Sequence, residues 1–353
     1  IKREEKTKRI YAANDLAAKF YNACLTKTKY GTKALDYLYN RGITDEIIES
    51  FTIGYALNNY DSLRNSLAKR GVDSKLLLEA GLELKGNNNS TYDKFRNRVM
   101  IPIKDARGKI VGFGGRVLDD SLPKYLNTGE TEWFNKRKIL FGLDVALNAI
   151  RKTDQVIIVE GYMDAISLHA AGISNVVASM GTAFSAEQAK IISRLASDIV
   201  FCYDSDTAGR RASVRAVSIA RQAGLKVRIA GVPEGKDPDE FVRAHGSNSF
   251  LEVVAQAKNG LDFQIDETIK QNNITTLAGK VEAVSNIIPF LLECKNEIEA
   301  DEHIKRLALL LTIDEGLIRE EYRKSQHKHA VKNDGLNRSI PERKVNSAST
   351  AAE

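Results

Sequence analysis

Short apolar runs that stop at acidic residues alternate with amphipathic stretches through the middle of this chain. Val156-Ile157-Ile158-Val159 stops at Glu160-Gly161-Tyr162-Met163-Asp164, and Ile199-Val200-Phe201-Cys202-Tyr203 stops at Asp204-Ser205-Asp206. Continuous β-branched and aromatic runs of this length read as strands buried on both faces. The pattern predicts strands at 156–159, 175–179, 199–203 and 226–232, with helices near 162–171, 185–196 and 207–223. Strand–helix–strand units imply right-handed crossovers and parallel pairing. The expected fold class is therefore α/β, a central parallel sheet flanked by helices, with its site at the carboxyl ends of the strands.

The flanking segments have other periods. From Tyr11 the apolar positions Leu16, Phe20 and Cys24 recur at helical spacing, Ala34–Leu38 starts a helix ending near Gly42, and Thr44 can cap the next. Two more helices follow, stopped at Gly71 and Gly81, before the loop at 86–90. Residues 94–138 read as β-rich, including the Gly-rich strand Ile110–Arg116. Beyond 241, Leu277, Val281, Val284, Ile288 and Leu291 form one apolar stripe, and Ile304, Leu307 and Leu311 another, as in an amphipathic bundle. The expected organisation is a mixed α+β basic subdomain at 1–150, a metal-binding α/β domain at 151–240, a helical subdomain at 241–325 and a flexible tail at 326–353.

Charge sharpens this picture at one place. Residues 94–138 hold eleven Lys and Arg against five Asp and Glu, an excess of 6 that equals the net +6 of the whole chain. Basic residues interleaved with aromatics suit a phosphate backbone and stacked bases, against the alternative of a solvated basic face. Bare backbone at Gly114-Gly115, before Arg116, is expected to admit a ligand closely. Cys24, Cys202 and Cys294 are scattered and the five histidines do not cluster with them, so neither a disulfide framework nor a zinc site is expected. The chain begins at Ile1 and has no signal peptide or apolar span of about 18 residues, which reads as part of a longer protein in a reducing, cytoplasmic setting with no membrane partner.

The acids carry the chemistry. Asp204 and Asp206 are two apart, so in extended backbone both carboxylates face one way. Glu160, at the end of a neighbouring strand, would close the cluster. Oxygen-only ligation selects Mg²⁺ or Mn²⁺ over zinc, and packed carboxylates repel unless a cation neutralises them. The competing reading makes the Asp204/Asp206 pair a helix cap or a surface pair, and Asp164 a partner of a helix dipole. Two further acids, Asp237 and Asp239, sit on a Pro-stiffened loop.

Glu160–Asp164, Ser179-Met180-Gly181-Thr182-Ala183 and Asp204-Ser205-Asp206-Thr207-Ala208-Gly209 together resemble the TOPRIM domain. Arg96–Ile103, Gly112–Val117, Pro123-Lys124-Tyr125-Leu126-Asn127 and Lys236-Asp237-Pro238-Asp239 are similar to the RNA-polymerase core of bacterial DNA primases, over roughly residues 10–325. The resemblance implies that Glu160, Asp204 and Asp206 hold two or three catalytic Mg²⁺ (or Mn²⁺) ions, with Asp237 touching a further cation. It implies that Asp164, Asp237 and Asp239 support that site. It also implies that Arg96, Arg98, Arg116, Lys124 and Lys136 line the path of template and nucleotide. The activity implied is DNA-directed synthesis of short RNA primers from ribonucleoside triphosphates on single-stranded DNA, by displacement between two cations about 3.5–4 Å apart. No zinc-ribbon ligand set precedes residue 10, and the replicative helicase is expected to be met through a C-terminal domain absent here. A TOPRIM nuclease, a TOPRIM topoisomerase and a non-catalytic DNA-binding module are the rivals. No G-x-x-x-x-G-K-[ST] occurs, which excludes a fused ATP-driven helicase.

Overall fold

A computed structural model describes residues 2–87, 90–181, 183–233 and 237–337. The chain divides into two compact units, 1–260 and 261–353.

The first unit begins with helix α1 (Lys2–Thr26), then α2 (Thr32–Tyr39), α3 (Asp45–Ser50), β1 (Gly54–Ala56), α4 (Ser62–Ala68) and α5 (Ser74–Glu79). The buried face of α1 is Ile10, Ala13, Ala17, Tyr21 and Leu25, while Leu16 and Phe20 only pack at its edge. The reason is close approach. A Cβ on Gly54 would lie 2.5 Å from Tyr21, so α1 approaches β1 against bare backbone, at a position that carries no hydrophobic signal.

A hairpin of β2 (Glu83–Lys85) and β3 (Thr91–Asp93) leads to β4 (Arg98–Lys104), β5 (Ile110–Val117) and β6 (Tyr125–Asn127). β1, β4, β5 and β6 form an antiparallel sheet in that order. After α6 (Leu143–Thr153) come β7 (Gln155–Val159), α7 (Tyr162–Ala170), β8 (Val176–Ala178), α8 (Ala186–Ile192), β9 (Asp198–Phe201), α9 (Thr207–Gln222) and β10 (Lys226–Ile229). This is the expected parallel α/β sheet, ordered β10-β9-β7-β8. Val156–Val159 are buried throughout, as the unbroken apolar run requires.

The expected domain borders differ from the observed ones in two places. The core of the first unit runs from Leu25 and Phe51 through Val159 to Phe250 and Val254, so no packing boundary falls near residue 150. Nor does the helical part begin at 241. Helix α10 (Pro238–Ala255), interrupted at Gly246 (φ +81), buries Phe241, Val242 and Phe250 in that core. β11 (Lys258–Asn259) then adds an antiparallel edge strand to β10. The parallel sheet needs this cover on an otherwise open face and edge.

The second unit holds α11 (Gly260–Gln271), α12 (Leu277–Leu291), α13 (Glu297–Leu311) and α14 (Glu315–Asn337) around Ile265, Ile287, Leu291, Ile304, Leu307 and Ile318. Thr276 and Asn296 cap α12 and α13 by accepting from Gly279 N and Glu299 N. The predicted stripe on α12 is only half right. Val284, Ile288 and Leu291 are buried, but Leu277 is 78% exposed and Val281 56%. The tail expected from 326 is helical as far as Asn337, and its remainder lies outside the described residues. No helix among the described residues is long and apolar enough to cross a membrane.

One buried acid organises the small hairpin. Asp93 accepts from Leu63 N (2.7 Å) and Arg64 N (3.1 Å), closing the start of α4, and it lies opposite Glu83 in the β2–β3 register. Burial pushes its pKa up to about 6, the two N–H donors oppose the rise, and the Glu83 charge adds to it. A raised native pKa stabilises the protonated form, so this contribution is full below about pH 4 and fades as pH rises through 6. Urea unfolding of the parent beside Asp93→Asn should show the parent losing roughly 1–2 kcal/mol relative to the variant between pH 4 and 6.5, with a constant difference above that. Parallel pH profiles would refute the assignment.

Candidate active site

β7 and β9 are neighbours in parallel register, Ile158 opposite Phe201, so the acids beyond their ends meet. Glu160 Oε1 accepts the Asp204 backbone N–H at 3.2 Å. Gly209, at the start of α9, makes this possible. A Cβ there would lie 2.2 Å from the Asp204 carbonyl oxygen and 2.9 Å from Glu160 Oε1. The expectation that Asp204 and Asp206 share one strand face is corrected here. β9 ends at Phe201, the chain turns, and Asp206 becomes the N-cap of α9, its Oδ1 accepting from Gly209 N at 2.7 Å.

A cleft of about 330 Å³ is lined by Glu160, Asp164, Asp204 and Asp237 together with Lys124, Tyr125, Asn127 and Tyr162. Met180 (φ +61) and Gly181 (φ +70) turn sharply at its rim, pinned by hydrogen bonds from Ser179 N to Val159 O and from Gly181 N to Glu160 O. Left-handed backbone at a methionine is strain of the kind that sites retain. Asp164 caps its own helix through Gly161 N (3.0 Å), and Asp237 caps α10 through Glu240 N (2.7 Å). Thr182 and Lys236 of the sequence motifs lie outside the described residues.

The acids strain one another electrostatically. Burial, then the charges of Asp237 and Asp204, push Asp164 up to about 8. Burial, then Glu160, Asp237 and Asp206, push Asp204 up to about 6, and burial raises Glu160 as well. Asp206 thus acts on the cluster by its charge without lining the cleft. Among the described residues no three His, Cys, Asp or Glu side chains form a ready ligand set. The donors are nonetheless all oxygen, mutually repelling and half-buried or deeper, which fits a hard divalent cation.

Asp239 does something else. It is 3% exposed and accepts from Ser167 Oγ (2.6 Å) and Arg243 (3.0 and 3.2 Å), while also pairing with Arg41. Sequence reasoning passed over Arg41, whose partner is 198 residues away. Its guanidinium lies 5.0 Å from the Tyr37 ring centroid, and Arg116 lies 4.5 Å from the same ring. Arg116 Nε in turn donates to the Tyr125 hydroxyl (3.3 Å). A row Arg41–Tyr37–Arg116–Tyr125 therefore runs to the edge of the acidic cleft.

The remaining basic candidates separate by role. Lys124 lines the cleft. Arg98 is buried and donates to the carbonyls of Gly115 and Pro123, tying β5 to the loop before β6. Arg96 and Lys136 do not line the cleft. The glycines of β5 admit protein and not ligand, which corrects the expectation. A Cβ on Gly114 would sit 2.8–3.0 Å from the Tyr162 ring, and one on Gly115 would sit 3.0 Å from Arg98 and Phe95. Tyr162, at the start of α7, is thus a wedge from the parallel sheet's layer into the antiparallel sheet.

Family models cover most of the chain: "DNA primase catalytic core, N-terminal domain" matches residues 20–147, "Toprim-like" 157–242 and "DnaB-helicase binding domain of primase" 261–324. The last match places a segment similar to a helicase-binding domain within this chain, at 261–324. The chain is 42% identical over 308 residues to the DNA primase of Clostridium acetobutylicum, covering 87% of this chain and 50% of that protein. It is 36% identical over 342 residues to that of Listeria monocytogenes, covering 96% and 54%. It spans about half the length of these curated relatives. Among solved structures it is similar to a DnaG primase catalytic domain bound to ssDNA (TM-score 0.78, 32% identity, 86% of this chain and 99% of that one). It is likewise similar to a DNA primase domain from Pseudomonas aeruginosa (TM-score 0.78, 37% identity, 89% and 99%).

The wedge yields a test. Gly114→Ala should destabilise the chain by roughly 1–3 kcal/mol, as overpacking does. Adding Tyr162→Ala should cost less than the sum of the two single changes, because it removes the colliding ring. Additive urea-unfolding energies would show that the two residues do not compete for space.

Proposed function

This chain belongs to the catalytic cores of the bacterial DNA primases, and we propose on that premise that it makes short RNA primers on single-stranded DNA from ribonucleoside triphosphates. Membership implies the use of a divalent metal. Our reading narrows this to two or three Mg²⁺ or Mn²⁺ ions. The observation that carries the reading is that Glu160, Asp164, Asp204 and Asp237 line one cleft with Lys124 and Tyr125. In the reading, Glu160, Asp204 and Asp237 are the metal-holding carboxylates, with Asp206 completing the charge from its capping position. Bound there, the cations would lower the pKa of a ribose 3′-hydroxyl and stabilise a leaving pyrophosphate.

The chain's own residues do the rest. Lys124 presents an ammonium to triphosphate oxygens across the cleft. Arg116, stacked and hydrogen-bonded, holds Tyr125 at its edge. Asp239 is assigned to holding Arg41 and Arg243 and not to metal. Template affinity in this reading falls with salt as phosphates are neutralised. Residues 261–324 supply a contact for a replicative helicase, supported by the family match. The setting is cytoplasmic.

Incubation with single-stranded DNA, labelled ribonucleotides and Mg²⁺ or Mn²⁺ should give short RNA. Asp204→Asn should reduce it by about a hundred- to a thousandfold, the scale of losing an electrostatic catalytic group, while single-stranded DNA binding stays within about twofold. Equal activity would remove Asp204 from the metal site, and cleavage of the DNA without RNA would replace the reading with a nuclease.

A further inference from the structure

α8 and α9 lie on the same face of the parallel sheet. In the order β10-β9-β7-β8, α8 joins β8 to β9 and α9 joins β9 to β10. Both connections cross the sheet in one direction, so right-handed crossovers put the two helices on one side, parallel and packed together. α8 buries Gln188, Ala189 and Ile192, and α9 buries Ser213, Ala216, Val217 and Ala220. The positions opposite those faces are Lys190 and Arg194 on α8 and the turn that continues it, and Arg211 and Arg215 on α9. All four are exposed.

No acid interrupts these cations. Residues 207–228 hold six Lys and Arg and no Asp or Glu. Nearby acids are already engaged: Glu187 pairs with Arg137 (3.6 Å), Asp198 with Arg228, and Asp206 caps α9. Among the described residues none of Lys190, Arg194, Arg211 and Arg215 is ion-paired. An ordinary solvated surface mixes both signs, and this one carries a single sign. Each helix sets its two cations about 6 Å apart, roughly one turn of rise. Neighbouring helix axes lie about 8–10 Å apart, so the cations form two parallel rows. That separation falls within the groove widths of a double helix, about 6–12 Å. α8 is firmly seated, since Ser185 Oγ and Gln188 Nε2 donate to the carbonyls of Arg137 and Ile139 (2.6 and 2.8 Å).

We propose that the outer face of α8 and α9 grips the two phosphate backbones of a double-stranded nucleic acid, Arg211 and Arg215 on one strand and Lys190 and Arg194 on the other. Two observations favour a duplex over a single strand. A single strand offers one line of phosphates, and here there are two rows of cations. α8 and α9 also contain no aromatic residue on which an unpaired base would stack. The face begins beside the acidic cleft, because the cap of α9, Asp206, follows two residues after the cleft residue Asp204. The duplex made there in the reading above is an RNA–DNA hybrid, and only that identity rests on the reading.

The test titrates the full chain against a labelled RNA–DNA hybrid, a DNA duplex of the same sequence and the single DNA strand, with affinity followed by anisotropy across a salt series. Arg211→Gln combined with Arg215→Gln should weaken hybrid binding about tenfold or more and lower the salt slope by about 2, while single-strand affinity stays within about twofold. Lys190→Gln combined with Arg194→Gln should act alike. Arg211→Lys with Arg215→Lys should restore affinity, because an ammonium meets a phosphate as a point charge. Equal losses for hybrid and DNA duplex would make the ligand any paired backbone, and a loss confined to the hybrid would make it the product. Hybrid and duplex binding by the Gln variants equal to the parent's would overturn the duplex face. A single-strand loss as large as the hybrid loss would do the same, as would a parent that binds no duplex at low salt. RNA synthesis enters none of these readouts, so each of those failures leaves the primase reading standing.

Discussion

Like charges confined at the carboxyl ends of two adjacent parallel strands are the constraint on which this structure turns. β7 and β9 must be neighbours for Glu160 and Asp204 to meet, and the carboxylates, drawn out of water, raise one another's proton affinity. Most of the nearby backbone serves to hold that arrangement in place. Gly209 lets α9 approach, Asp206 and Asp237 cap the helices they precede, and the turn at Met180-Gly181 is pinned to the end of β7. A fold without a ligand would not be expected to keep so much repulsion in one place.

Much of this was legible in the residues because the parallel sheet writes itself locally. Val156–Val159 and Ile199–Phe201 are apolar without interruption, and their acids follow at once, so strand, crossover and site direction could all be read from short windows. Asp204 and Glu160 meet as expected for the same reason. Asp206 did not follow, because a D-x-D pair points one way only while the backbone stays extended, and the strand ends three residues before Asp204.

What could not be read depends on partners far off in sequence. Arg41 looks like the end of a helix until Asp239 is placed beside it. The glycines of β5 look like room for a ligand until the Tyr162, Phe95 and Arg98 side chains fill that room. Ala13, Ala17 and Ala18 fill part of the buried face of α1, and no hydrophobic stripe announces them. The helices after 241 share one period, and only the burial of Phe241 and Phe250 assigns α10 to the first unit. In each case the deciding quantity is complementarity between surfaces, which composition and spacing do not encode.

The pairing of one buried carboxylate, Asp239, with two guanidiniums has a consequence for the cleft. Asp239 holds Arg41 and Arg243 together, and Asp237 and Glu240 also act on Arg243 by their charges. The row from Arg41 through Tyr37 to Arg116 carries positive charge toward Tyr125, with Lys124 beside it. Glu160, Asp164, Asp204 and Asp237 line the same cleft. Charges of both signs therefore meet around one cleft, and those of the buried Asp239 and Arg116 are screened only weakly by solvent ions. A molecule that is itself a dipole, with phosphate oxygens at one end and a neutralised end at the other, would be turned into one orientation before any specific contact forms.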